Sequence, residues 1–103
     1  MDIYYHPHHA TISPSMQLRI ERGLRRLERR YGGNVDATVR FEEDGPTRRV
    51  EIVARALGRR VVAKGESRHF GPAVGTSLLR LDAQLRHVKR TRKARGRRAA
   101  ASA

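Results

Sequence analysis

The chain has 103 residues, 23 Lys and Arg against 10 Asp and Glu, and a formal net charge of +13. That length holds one domain with one modest core. The charge is mostly Arg, which forks bidentately onto phosphate oxygens and points to a polyanion, of which nucleic acid is the abundant kind. With no cysteine, disulfide scaffolds, CxxC zinc sites and thiol nucleophiles are excluded.

Asp2 to His6 reads as a short strand with Ile3 and Tyr5 on one face, ended by Pro7, which has no ladder donor. Ser13 can cap a helix whose first position suits Pro14. Met16, Ile20, Leu24, Leu27 and Tyr31 then recur at helical spacing, and Gly32-Gly33 stops the run. Val35, Ala37, Val39 and Phe41 alternate with Asp36, Thr38, Arg40 and Glu42, as in a half-buried strand. Glu43 to Pro46 is turn material. Val50, Ile52, Ala54 and Ala56 alternate again, and after a turn at Gly58 the segment Val61-Val62-Ala63 gives a third strand of the meander, its end weakened by Gly65. A second helix starts near Gly71-Pro72, with Phe70, Val74, Leu78, Leu81, Leu85 and Val88 as its apolar stripe and Leu79 widening it.

The expected fold is α+β, in the order β-α-β-β-β-α. Two helices pack on one face of a four-stranded, mainly antiparallel sheet, and the other face is left to solvent. Residues 1–88 are expected to form the RNA-binding domain, with the second helix able to extend to about residue 95. Residues 89–103 form a basic C-terminal tail, partly disordered, because a block of like charges repels itself. No stretch approaches the ~20 apolar residues of a membrane span, and none reads as a signal peptide, so the expected compartment is the cytoplasm.

On a wheel with Ile20 at zero, the apolar residues of the first helix stay within about 40°, and Arg22, Arg25 and Arg29 fall at about 140–200°. Arg19, Arg26 and Arg30 take one flank, and Glu21 and Glu28 the other. In the second helix Arg80, Arg86, His87, Arg90 and Lys93 lie off the stripe, and Lys89 opens the basic block. A solvated helix usually mixes signs for (i, i+4) support, whereas these outer faces are nearly all positive. The candidate RNA-binding residues are therefore Arg22, Arg25, Arg26, Arg29, Arg80, Arg86, His87, Lys89, Arg90 and Lys93. Packed side by side, the two helices would merge them into one basic surface. Only Tyr4 is free of an apolar face and able to stack on a base, so the surface suits folded RNA read through backbone and shape.

Catalytic signals are missing. His6, His8 and His9 have no carboxylate or Cys at ligand spacing, the Ser residues have no local His and acid, and Gly32-Gly33 lacks the P-loop spacing and Lys. A non-enzyme is expected, with no metal, no cofactor, no small-molecule substrate and no membrane partner.

Several strings resemble the ribosome hibernation-promoting factors, the family of protein Y, ribosome-associated inhibitor A and the sigma-54 modulation proteins. Ile12-Ser13-Pro14-Ser15-Met16 is similar to the family's first-helix start, and Leu24-Arg25-Arg26-Leu27-Glu28 to its Leu-Ala-Lys-Leu-Glu. Val62 to Glu66 is similar to the segment before its second helix, and Arg80 to Leu85 to its Lys-Leu-x-Arg-Gln-Leu. The match runs from about Ile3 to Lys93. The resemblance implies a β-α-β-β-β-α fold, similar to double-stranded-RNA-binding domains, and a ribosome-binding translation inhibitor. Such a protein occupies the mRNA and A- and P-site tRNA channel of the small subunit, with basic residues of both helices on ribosomal RNA. Arg26, Arg29, Arg80 and His87 fall at basic or near-basic positions of the family. The chain departs from the family where His69 to Gly75 replaces the usual Asp-Met-Tyr-x-Ala-Ile-Asp, and where Ala83 replaces Arg. It resembles a short form, without the C-terminal dimerisation domain of long members. The competing readings are a general RNA- or DNA-binding module, of RNA-chaperone or nucleoid type, and a regulatory module that binds an acidic protein.

Overall fold

Helix α1, Pro14–Tyr31, starts as its sequence predicts: the Ser13 side chain accepts the Met16 N–H at 3.2 Å, and Pro14 opens the first turn. It ends at Gly32, whose N–H donates to Glu28 O at 2.9 Å. The computed structural model describes residues 1–102, with side chains for all of them except 94, 95 and 97–102. Strand β1 (Ile3–His8) precedes α1, and β2 (Asp36–Asp44), β3 (Thr47–Ala56), β4 (Arg59–Ser67) and α2 (Phe70–Ser102) follow it.

The sheet order is β1-β2-β3-β4, with β1 parallel to β2 and the other pairs antiparallel. This is the α+β arrangement expected from the sequence. One sheet face carries Ala37, Val39, Phe41, Val50, Ile52, Ala54, Val61 and Ala63, all buried under Ile20, Leu24 and Leu27 of α1 and Val74, Leu81 and Leu85 of α2. Tyr5 half-buries beside α1 and donates its hydroxyl to Gln17 O at 3.2 Å. Burial first, and the charge of Glu21 second, hold that phenol above its ordinary pKa.

Three local expectations are corrected. Pro7 does not end β1 but pairs opposite Phe41 within it. The Ala37 N–H donates to Asp2 O, so residues 2, 4, 6 and 8 bond to β2 while Ile3, Tyr5 and Pro7 turn their nitrogens to the open edge. A missing donor costs little there. Gly65 does not weaken the end of β4, which continues to Ser67. A Cβ at Gly65 would lie 2.1 Å from Ala73 O and 2.9 Å from Ser77 N, so this glycine lets α2 lie against the sheet. Leu79 does not widen the apolar stripe but is 72% exposed.

The far end of α2 also differs from expectation. The helix does not give way to a tail after Val88 or near residue 95 but continues to Ser102. Ala, Arg and Lys are strong helix formers, which outweighs the mutual repulsion of the block. Two side chains fasten it: Lys89 Nζ donates to Tyr31 O at 3.0 Å, and Arg92 donates to Leu57 O at 3.3 Å. Residue 103 lies outside the described residues.

Candidate nucleic-acid interface

The outer surface of α1 is cationic because its carboxylates are occupied. Glu21 holds Arg25 at 2.7 Å, and Glu28 turns inward to accept the Val35 N–H at 2.8 Å. Arg22, Arg26 and Arg29 are exposed and have no carboxylate within ion-pair distance among the described residues. Arg25 belongs to the same face with its charge partly offset.

Between α1 and α2 runs a groove of about 570 Å³. Gly23 and Leu78 form part of its floor, Arg22 and Arg26 line its α1 wall, and the exposed Leu18 and Leu79 stand at its rim. Two arginines not among the sequence candidates close it. Arg19 donates to Gly71 O at 2.7 Å, and Arg30 reaches Asp82 Oδ2 at 2.7 Å. Asp82 also accepts the Tyr31 hydroxyl and lies 3.6 Å from Arg86. A single acid thus ties the end of α1 to the middle of α2 and positions two arginines.

The family resemblance placed glycine at 71 and 75 where a Tyr and an Asp are usual. Arg19 occupies that space: its guanidinium lies 3.5 Å from a Cβ built on Gly71 and 3.1 Å from one built on Gly75. With no carboxylate at position 75, Arg19 settles on a backbone carbonyl and keeps its charge uncompensated.

The second helix divides its candidates between two flanks. Gly75, Leu78, Leu79 and Asp82 face α1. Arg86 bonds to Asp82 and Lys89 to Tyr31, so both stand on the α1 side, one or two turns from the groove. Lys93, one turn beyond Lys89, extends that row. Lys89 also sits 6.0 Å from the Tyr31 ring centroid, so part of its charge serves to fasten the helices. Arg80 and His87 lie on the other flank. Arg80 donates to Lys64 O at 2.7 Å, and His87 lines a concavity with Arg59, Arg60 and Gln84. Arg90 is exposed and, two and a half turns from the buried Leu81, points away from the sheet. The structure therefore brings together Arg22, Arg25, Arg26, Arg29, Arg86, Lys89 and Lys93, and separates Arg80 and His87 from them.

Among the described residues no helix is long and apolar enough to cross a membrane, and no three His, Asp or Glu side chains are placed to hold a metal. His8 and His9 pack edge-on, with ring centroids 4.4 Å apart.

A mixed four-stranded sheet with two helices on one face, in the order β-α-β-β-β-α, defines a class of small α+β domain. Residues 3–93 match the family described as sigma 54 modulation protein / S30EA ribosomal protein, and the chain belongs to that family. Among solved structures, it is similar to the N-terminal domain of Protein Y from Thermus thermophilus. The identity is 26% and the TM-score 0.78, over 85% of this chain and 99% of that one. A ribosomal subunit interface protein from Coxiella burnetii has the same fold, at 22% identity and a TM-score of 0.71, over 86% of this chain and 98% of that one. No curated protein matches the sequence significantly.

Proposed function

We propose that this chain is a ribosome-binding hibernation factor, a non-enzymatic cytoplasmic protein that inhibits translation by occupancy. Its basic helix face lies on ribosomal RNA of the small subunit, in the channel used by mRNA and by tRNA in the A and P sites. The observation that carries this reading is the row of unpaired, exposed Arg22, Arg26 and Arg29 beside the inter-helix groove, in a chain of this family. Phosphate contacts position a protein on folded RNA without reading bases, which suits a surface of guanidinium groups. Arg86, Lys89, Arg90 and Lys93 extend the surface along α2, while Arg80 and His87 serve a different flank.

Co-sedimentation tests the proposal. Wild-type protein is expected to pellet with small subunits and intact ribosomes, and the double substitution Arg26→Glu with Arg29→Glu to stay in the supernatant with an unchanged circular-dichroism spectrum. Pelleting by the double variant would remove these residues from the interface. Equal binding to free RNA, without pelleting at low salt, would remove the ribosome.

The continuation of α2 to Ser102 favours one second reading, a general nucleic-acid module that lays this basic helix on any duplex. Tight binding of random duplex DNA at physiological salt distinguishes it. Association that survives nuclease would point instead to an acidic protein partner.

A further inference from the structure

The face of the sheet turned away from the helices is not a neutral outer surface. The strand registers place Tyr4, Thr38, Val53 and Val62 opposite one another in one row across all four strands. At ~4.8 Å per strand this row is ~14 Å wide. Among the described residues it carries the one exposed Tyr or Phe, Tyr4 at 63% exposure, beside the half-buried valines. The row on one side is Asp36, Arg55 and Arg60, and the row on the other is His6, Arg40, Glu51 and Lys64.

The charges in these flanking rows do not cancel. Asp36 is occupied by the Asp2 N–H and the Asn34 side chain, each at 2.8 Å, and Glu51 by Lys64 at 3.7 Å. Arg40, Arg55 and Arg60 are exposed and have no carboxylate within ion-pair distance among the described residues. Arg40 and Arg60 line a shallow concavity of about 560 Å³ with Thr38 and Val53 at its base. The face therefore offers an aromatic ring, an apolar strip and three uncompensated guanidinium groups, all within one sheet width.

We propose that this open face is a second nucleic-acid site, for a short single-stranded RNA segment. A base stacks on Tyr4, its neighbour lies over Val53 and Val62, and the phosphates between them meet Arg40, Arg55 and Arg60. Stacking on an exposed ring together with a cationic track is how single strands are held without sequence preference, and four-stranded sheets open on one face hold two or three bases in this way. A protein partner fits less well, because the apolar strip is narrow and bordered mainly by cations. The site is independent of the helix face and of the ribosome, so both RNA-binding surfaces can be engaged at once.

Fluorescence anisotropy with a labelled uridine octamer tests it at low salt. Arg55→Glu with Arg60→Glu is expected to weaken octamer binding at least ten-fold. Tyr4→Ala is expected to weaken it about five-fold or more, with Tyr4→Phe restoring affinity. The helix-face variant Arg26→Glu with Arg29→Glu should retain most octamer binding while losing the ribosome. Tyr4 should also crosslink to a 4-thiouridine octamer. Wild-type octamer affinity in the sheet-face variants overturns the proposal, whatever the ribosome result. If those variants keep octamer affinity but fail to pellet with ribosomes, the proposal also falls and the face belongs to a protein contact.

Discussion

Asp36 begins β2 and ties down the start of the chain, accepting the Asp2 N–H and the Asn34 amide. These hydrogen bonds, the Asp2 backbone bond first, hold its carboxyl below the usual carboxylate value. A depressed carboxylate contributes stability that is present above its unfolded pKa and is lost as pH falls through the folded value. The Asp36 carboxyl resonance should therefore titrate with a midpoint below 3.8, and the amide of Asp2 should lose exchange protection over the same acid range. A midpoint at the ordinary value would mean that the link is not formed. Asp82 plays a comparable part at the C-terminal end of α1, where it joins Tyr31, Arg30 and Arg86. Arg30 is half exposed, so its ion pair contributes little. The Tyr31 hydroxyl keeps the Asp82 backbone O as an acceptor at 3.1 Å, so the loss of its charged acceptor carries most of the effect. Asp82→Ala is expected to cost about 1–3 kcal/mol in urea unfolding, and a loss well under that would assign the joint to apolar packing alone.

At the scale of elements, helix and sheet approach each other through small residues. Gly65 of β4 faces Ala73 and Ser77 of α2, and an added methyl would meet backbone atoms that cannot swing aside. Gly65→Ala is expected to destabilise the domain by about 3 kcal/mol or more, the upper end for overpacking. Gly23→Ala makes a useful contrast. There the methyl meets Leu78 Cδ1 at 2.7 Å, the end of a flexible side chain, and the gain in helix propensity of about 1 kcal/mol offsets the adjustment. Comparable losses in the two variants would refute this account of how α2 is seated. The sequence foretold α1 almost completely, because Ser13, Pro14 and the stripe from Ile20 to Tyr31 are local signals, and it foretold the alternation in β2 and β3 for the same reason. Gly65 was misleading because its purpose lies in contacts with Ala73 and Ser77, eight and twelve residues further on. Pro7 was misleading because edge position is a property of the whole sheet. The division of Arg80 and His87 from the other candidates was hidden too, since a helical wheel orders residues about an axis without saying which flank meets a neighbour.

For the whole molecule, charge is sorted rather than spread. Glu42, Glu43, Asp44 and Glu66 gather at the β2–β3 hairpin end around Arg48 and Arg49, where Glu66 and then Asp44 hold the Arg49 guanidinium more firmly protonated. Arginines without a carboxylate partner lie elsewhere, on α1, on α2 and across the open sheet face. If about 6–10 phosphates are neutralised on binding, ribosome affinity should fall ~10³–10⁵-fold between 50 and 200 mM salt. The Arg26→Glu and Arg29→Glu variant should show a log-log salt slope shallower by roughly 2, one unit per lost phosphate contact. A slope unchanged by the substitution would mean that these two side chains meet no phosphate.

The two edges of the sheet bear on how copies of the chain can meet. Along β4, Arg80 and Gln84 of α2 donate to Lys64 O and Val62 O, so two of the carbonyls on that rim are already taken. Along β1 the outward position at Pro7 has no hydrogen to offer a visiting strand. Copies of the chain that met edge to edge would need an unbroken row of free donors and acceptors. One guanidinium, one amide and one imino acid deny those copies the continuous ladder through which a sheet could polymerise.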